Sequence, residues 1–159
     1  MPMLRENLLT SRLDERLRRM PDYEAVHTKT DWYDGPRQGV ADLHGEPHYY
    51  ENHWYEGERD WSEIYLLQPL DPETFALAME DWEIWLRWES AFKEGKTTQE
   101  THPALPEDRE RHEELETLLS ERLVAPPETS IKARADFVDR KVKWSVIEGA
   151  VELGKPIAW

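Results

Sequence analysis

The strongest helical signal in the chain is residues 71–93, DPETFALAMEDWEIWLRWESAFK. Asp71 is a favourable N-cap, and Pro72 suits the first helical position because its missing N–H would have no partner there. At about 100° per residue, Glu80, Glu83, Arg87 and Ser90 gather on one narrow face and apolar side chains fill most of the remainder. An apolar arc this wide predicts a helix from Pro72 to about Lys93 that packs against a sheet.

Strands are predicted on both sides of this helix. The block from about Tyr23 to Leu67 contains short runs of strand-forming residues, separated by turn signals at residues 34–36, 44–45 and 56–57. A second helix is predicted from Pro106 to about Val124. Beyond it, apolar and polar residues alternate from Ile131 to Phe137 and from Val142 to Val146, which is the period of a half-buried strand.

The order of these elements predicts the fold class. An N-terminal helix with leucines from Leu4 to Leu17 precedes four strands, the two helices, and then two or three strands that include a short end at Ile157–Trp159. We expect an α+β fold in a single domain spanning residues 1–159. Its curved antiparallel sheet of about five to seven strands would wrap a central tryptophan-rich helix.

Composition excludes several function classes. The chain has no cysteine, so disulfides and thiolate metal sites are impossible. Its net charge of −14 argues against binding nucleic acid through the phosphates. The N-terminus lacks the continuous apolar region of a secretory signal, and no apolar run is long enough to span a bilayer. We therefore expect a cytoplasmic protein that binds neither membranes nor nucleic acid.

The negative charge and the tryptophans are concentrated together. Residues 42–90 hold 13 of the acidic side chains, two basic ones, and five of the eight tryptophans. Carboxylates attract cations and indole faces hold them through the ring quadrupole. This segment is therefore the first candidate for a binding surface.

Two groups of residues are candidates within it. On the long helix, Asp81, Trp85, Trp88 and Glu89 share one side, because the first, second and fourth follow at steps of four and Trp88 lies three positions after Trp85. A carboxylate among indoles needs a partner, which could be a ligand ammonium group or a basic residue of this chain, such as Arg134 or Lys143.

In the strand from His48 to Tyr55, alternation places His48, Tyr50 and Trp54 on one face, where polar rings could line a cleft. Histidines 44, 48 and 53 are close in sequence, but a regular strand points His48 and His53 to opposite faces. We therefore predict neither a metal site nor a cofactor.

Three functions remain open. The first is a non-enzymatic module that engages a basic protein or a cationic ligand through its acidic, Trp- and Tyr-rich surface, as small acidic immunity and inhibitor proteins do. The second is a fold that binds an amine in an aromatic pocket between the sheet and the central helix. The third is a hydrolase that uses the histidines and glutamates of residues 44–55. A binding protein is expected rather than an enzyme, and a homodimer would also fit exposed aromatic residues.

Overall fold

The computed structural model describes residues 22–32, 35–55 and 59–147, without the side chains of Trp54 and Tyr55. The predicted N-terminal helix and the predicted end at Ile157–Trp159 lie outside these residues. Neither α-helix of the described part is both long enough and apolar enough to cross a membrane.

Six antiparallel strands form the sheet, which confirms the predicted α+β class. Each strand pairs with the next along the chain, and the first also pairs with the last, so the sheet closes into a barrel. The strands are β1 Tyr23–Trp32, β2 Pro36–Leu43, β3 Glu46–Tyr55, β4 Asp60–Pro69, β5 Ile131–Val138 and β6 Lys141–Val146.

A helical layer separates β4 from β5. Its two α-helices are α1, Pro72–Lys93, and α2, Arg109–Ser120, and two short 3-10 helices lie between them at Gln99–Thr101 and Pro106–Asp108. The predicted bounds of α1 agree with the structure, and the Asp71 carboxylate accepts a hydrogen bond of 2.7 Å from the Thr74 backbone N–H. The second predicted helix is shorter than expected at both ends, because its first turn is a 3-10 helix and the α-helix ends at Ser120 instead of near Val124.

The barrel interior is filled by aromatic rings from its own strands. Tyr50, Tyr65, Phe137 and Trp144 pack with ring centroids 5.7 to 6.1 Å apart. The Tyr50 hydroxyl donates to the Thr28 carbonyl at 3.0 Å, and the Trp144 indole N–H donates to the Asp42 carbonyl at 3.0 Å. The Tyr65 hydroxyl donates to the Pro36 carbonyl at 2.7 Å, so the three polar rings of this interior all have a hydrogen-bond partner.

The observed architecture differs from the predicted one. A sheet wrapped around the tryptophan-rich helix was expected, but the sheet closes on itself and leaves the helix outside. Strand alternation explains the arrangement, because Ala41 belongs to the barrel interior while its neighbour Val40 packs under the helices. The cluster between barrel and helical layer consists of Val40, Ala78, Ile84, Ala104, Leu115 and Leu119.

One glycine permits the close contact between β1 and β3 across β2. A Cβ atom at Gly39 would lie 2.1 Å from the Thr28 carbonyl oxygen and 2.7 Å from the Tyr50 hydroxyl. The same Thr28 accepts, through its hydroxyl, a hydrogen bond of 2.9 Å from the Val40 N–H. Gly39 therefore leaves room for a buried polar cluster that joins the middle of β2 to β1 and β3.

Candidate functional site

A cavity of about 610 Å³ lies between strands β1 and β2 and the helical layer. We call it the main cleft. Acidic, aromatic and histidine side chains of the sheet and of the helical layer line it: Asp31 and Trp32 from β1, Asp81, Trp82 and Trp85 from α1, and His112 from α2. Its volume is in the range of small-molecule sites in proteins.

Two stacked indoles form one wall of the main cleft. The rings of Trp82 and Trp85 lie 4.9 Å apart between centroids, with an interplanar angle of 23°. Their spacing of three residues on α1 places them on the same side of the helix. Both side chains are half-buried, so part of their surface remains available to a ligand.

The second wall carries a carboxylate–histidine pair. Asp81 Oδ1 lies 2.7 Å from His112 Nδ1, and Glu116 Oε2 lies 3.1 Å from His112 Nε2. Only 12% of the His112 side chain is exposed, so the imidazole is held in place on α2. Among residues 22–32, 35–55 and 59–147, only Oδ1 of Asp81 has a hydrogen-bond partner, so its second oxygen can accept from another donor.

The edge of the main cleft on β1 carries charges of both signs. Asp31 is exposed and has no ion-pair partner among residues 22–32, 35–55 and 59–147. The Lys29 ammonium group lies 5.1 Å from the centre of the Trp32 ring and donates to the Asp139 carbonyl at 3.0 Å. Trp32 itself is 59% exposed and extends the aromatic surface at this edge.

The structure brings together two of the predicted site residues of α1 and places the other two elsewhere. Asp81 and Trp85 line the main cleft. Trp88 is buried, and its indole N–H donates to the Thr101 hydroxyl at 2.8 Å. Glu89 pairs with Lys93 at 3.1 Å, one turn along the helix.

The predicted residues of β3 do not join this site. His48 is buried, and its Nδ1 lies 2.8 Å from the Glu46 carbonyl. Tyr50 belongs to the barrel interior, where burial raises the pKa of its hydroxyl far above the usual range. The side chain of Trp54 lies outside the described residues. Within residues 22–32, 35–55 and 59–147, no three histidine or acidic side chains gather as metal ligands would.

Sequence reasoning missed Asp31, Trp82 and His112 as site residues. Trp82 could have been found, because it lies three residues before Trp85 on the same helical face. No local pattern joins His112 to Asp81, which is 31 positions away, and the charged run around His112 predicts only a solvated helix surface.

Comparisons with known proteins give no further assignment. No protein-family model matches the chain, and no curated protein or solved structure is significantly similar to it.

Proposed function

We propose that this protein is a non-enzymatic binding protein whose main cleft holds a small cationic molecule with a flat apolar part. The observation that carries the proposal is that the carboxylates of Asp31 and Asp81 line the same cavity as the stacked indoles of Trp82 and Trp85. Carboxylates supply charge and hydrogen-bond acceptors to an ammonium group, and indole faces accept a ring or a cation.

The basic groups of the cleft already have partners, and His102, which also lines the cleft, packs edge-on against the Trp88 ring. Lys29 is held by the Trp32 ring and the Asp139 carbonyl, and His112 is held between two carboxylates. Asp31 therefore remains as the charge that a ligand can neutralise. The net charge of −14 adds a negative potential that raises the local concentration of cations.

A small molecule fits this geometry better than the basic protein that the sequence also suggested. Several acids of the helical layer are matched by neighbouring cations: Glu80 with Arg111, Asp108 with Arg87, and Glu89 with Lys93. Pairing of this kind leaves less uncompensated charge for a basic surface to recognise. The protein partner and the hydrolase remain predictions that no observation on this structure favours.

Tryptamine and its neutral counterpart tryptophol test the proposal, because they differ only in the ammonium group. We expect tryptamine to bind and to raise the melting temperature, and tryptophol to bind more weakly. Isothermal titration calorimetry would measure both affinities. Equal affinity for the two compounds would contradict a cation site, and absence of binding by both would contradict an aromatic amine site.

Matched variants locate the binding. Asp31→Asn should weaken tryptamine binding roughly threefold to fivefold, which corresponds to an exposed charge pair. Glu83→Gln removes the same charge from an exposed position of α1 outside the main cleft, and should leave the affinity unchanged. Equal losses in the two variants would show that net charge alone, and not the cleft, attracts the amine.

A further inference from the structure

A second cavity of about 350 Å³ adjoins the main cleft. We call it the side cavity. The two share Thr28, Lys29 and Trp82 as lining residues, so they meet along β1 and at one indole of the stacked pair. Leu86, one turn further along α1, supplies an apolar surface that is 41% exposed.

The side cavity is lined by positively charged side chains, whereas Asp31 and Asp81 supply negative charge to the main cleft. Arg140 and Lys29 line the side cavity, and none of its lining residues is an aspartate or a glutamate. The nearby Asp42 carboxylate is bound by His27 at 2.8 Å. Arg140 therefore lines only the side cavity and Lys29 lies where the two cavities meet, whereas two carboxylates, Asp31 and Asp81, line only the main cleft.

Arg140 is placed to meet a ligand. It follows Asp139, whose backbone φ of 54° turns the chain from β5 to β6, and its side chain is exposed. Its guanidinium has no ion pair or hydrogen bond among residues 22–32, 35–55 and 59–147, while its carbonyl accepts from Val26 N–H at 2.9 Å. A planar guanidinium binds a carboxylate through two parallel hydrogen bonds.

We infer that the two cavities form one binding groove, and that its ligand is zwitterionic, with an ammonium group at Asp31 and Asp81 and a carboxylate at Arg140. The flat body between these groups lies against Trp82, which lines both cavities. A carboxylate is the anion that one guanidinium matches in charge. This inference rests on the proposed function, because it extends the same ligand from the main cleft.

The test compares two probes of one shape. One is tryptamine with a carboxylate on its benzene ring, and the other is the corresponding carboxamide, which keeps the size and loses the negative charge. We expect the carboxylate to bind roughly threefold to fivefold more tightly than the carboxamide. Isothermal titration calorimetry with the full chain would give both dissociation constants.

Two arginine variants assign the preference to a residue. Arg140→Gln should remove the preference for the carboxylate and leave the carboxamide affinity unchanged. Arg134→Gln makes the same change at an exposed position of β5 outside both cavities, and should retain the preference. Both arginines are exposed, and circular dichroism would verify that both variants fold.

The outcomes separate this inference from the proposed function. Binding of tryptamine without a preference for the carboxylate, or a preference that survives Arg140→Gln, would overturn the zwitterion and leave the amine site intact. Failure of tryptamine and of both ring-substituted probes to bind would overturn the two together.

Discussion

Gly39 shows how much of this fold depends on one missing side chain. Gly39→Ala should lower the free energy of unfolding by about 3 kcal/mol, because the new methyl group would overlap the Thr28 carbonyl and the Tyr50 hydroxyl. Both atoms belong to buried groups that cannot move without breaking their mutual hydrogen bond. Urea denaturation followed by tryptophan fluorescence measures the loss.

Gly45→Ala is the control for this substitution. Gly45 has a φ of 79°, and an added Cβ would meet nothing within 4 Å, so the change tests backbone conformation alone. We expect a loss of roughly 1 kcal/mol there. Equal losses at the two glycines would show that crowding against Thr28 is unimportant.

The N-cap of α1 predicts a dependence on pH. Hydrogen bonding to Thr74 holds the pKa of the Asp71 carboxyl below its usual value. A depressed folded-state pKa stabilises the protein above the unfolded value of about 4, and this contribution is lost as the pH falls through the folded pKa. Asp71→Ala should therefore lower the melting temperature at pH 7 by roughly 2–4 °C and by less at acidic pH.

Thermal denaturation of both proteins across this pH range is the measurement. Asp71→Asn is the matched control, because asparagine is also a good N-cap and should retain most of the stability. A deficit in Asp71→Ala that stays constant down to the most acidic pH would contradict the role assigned to the carboxylate.

At the scale of the elements, two tryptophans of α1 differ in role: Trp88 stabilises the fold, and Trp85 borders the proposed binding site. Trp88→Ala should cost about 3–5 kcal/mol, because this indole is buried, stacks on Phe92 and bonds to Thr101. Trp85→Ala should cost roughly 1–2 kcal/mol, since the ring is half-buried, and should weaken tryptamine binding. Chemical denaturation and calorimetry measure the two effects, and the reverse order of stability would contradict this division.

The elements themselves could be predicted because each has a local signal. Asp71 and Pro72 fix the start of α1, and glycine-containing turns separate the first strands. In contrast, the sequence did not indicate which side of α1 faces the barrel, because apolar residues surround most of this helix. The sequence therefore groups Trp85 with Trp88 and omits Trp82, although Trp88 is buried beside Thr101 and it is Trp82 that borders the main cleft with Trp85.

For the whole molecule, the net charge of −14 predicts that salt weakens cation binding. Raising the ionic strength from about 0.02 M to 0.5 M shortens the screening length severalfold, so tryptamine affinity should fall roughly threefold to tenfold. Calorimetry at several salt concentrations measures the change. Tryptophol, which carries no charge, is the control, and a parallel loss for both compounds would rule out an electrostatic origin.

Closure of the sheet could not be predicted from the sequence, because it depends on a pairing between remote segments. Tyr23 lies opposite Lys143, and nothing local to either strand specifies the other. Once the barrel closes, its interior is filled by its own rings and the long helix must pack outside. The same separation in sequence hides the main cleft, whose walls come from β1, α1 and α2.

The position of the helical layer has a mechanical consequence. The layer leaves the barrel at Pro69 and returns at Ile131, on the strand directly beside it. Every strand of the barrel is hydrogen-bonded on both sides, so the strands resist being spread apart. A ligand in the main cleft would therefore rest on one side against strands held in a closed sheet, and on the other against helices whose chain joins that sheet at only two neighbouring points.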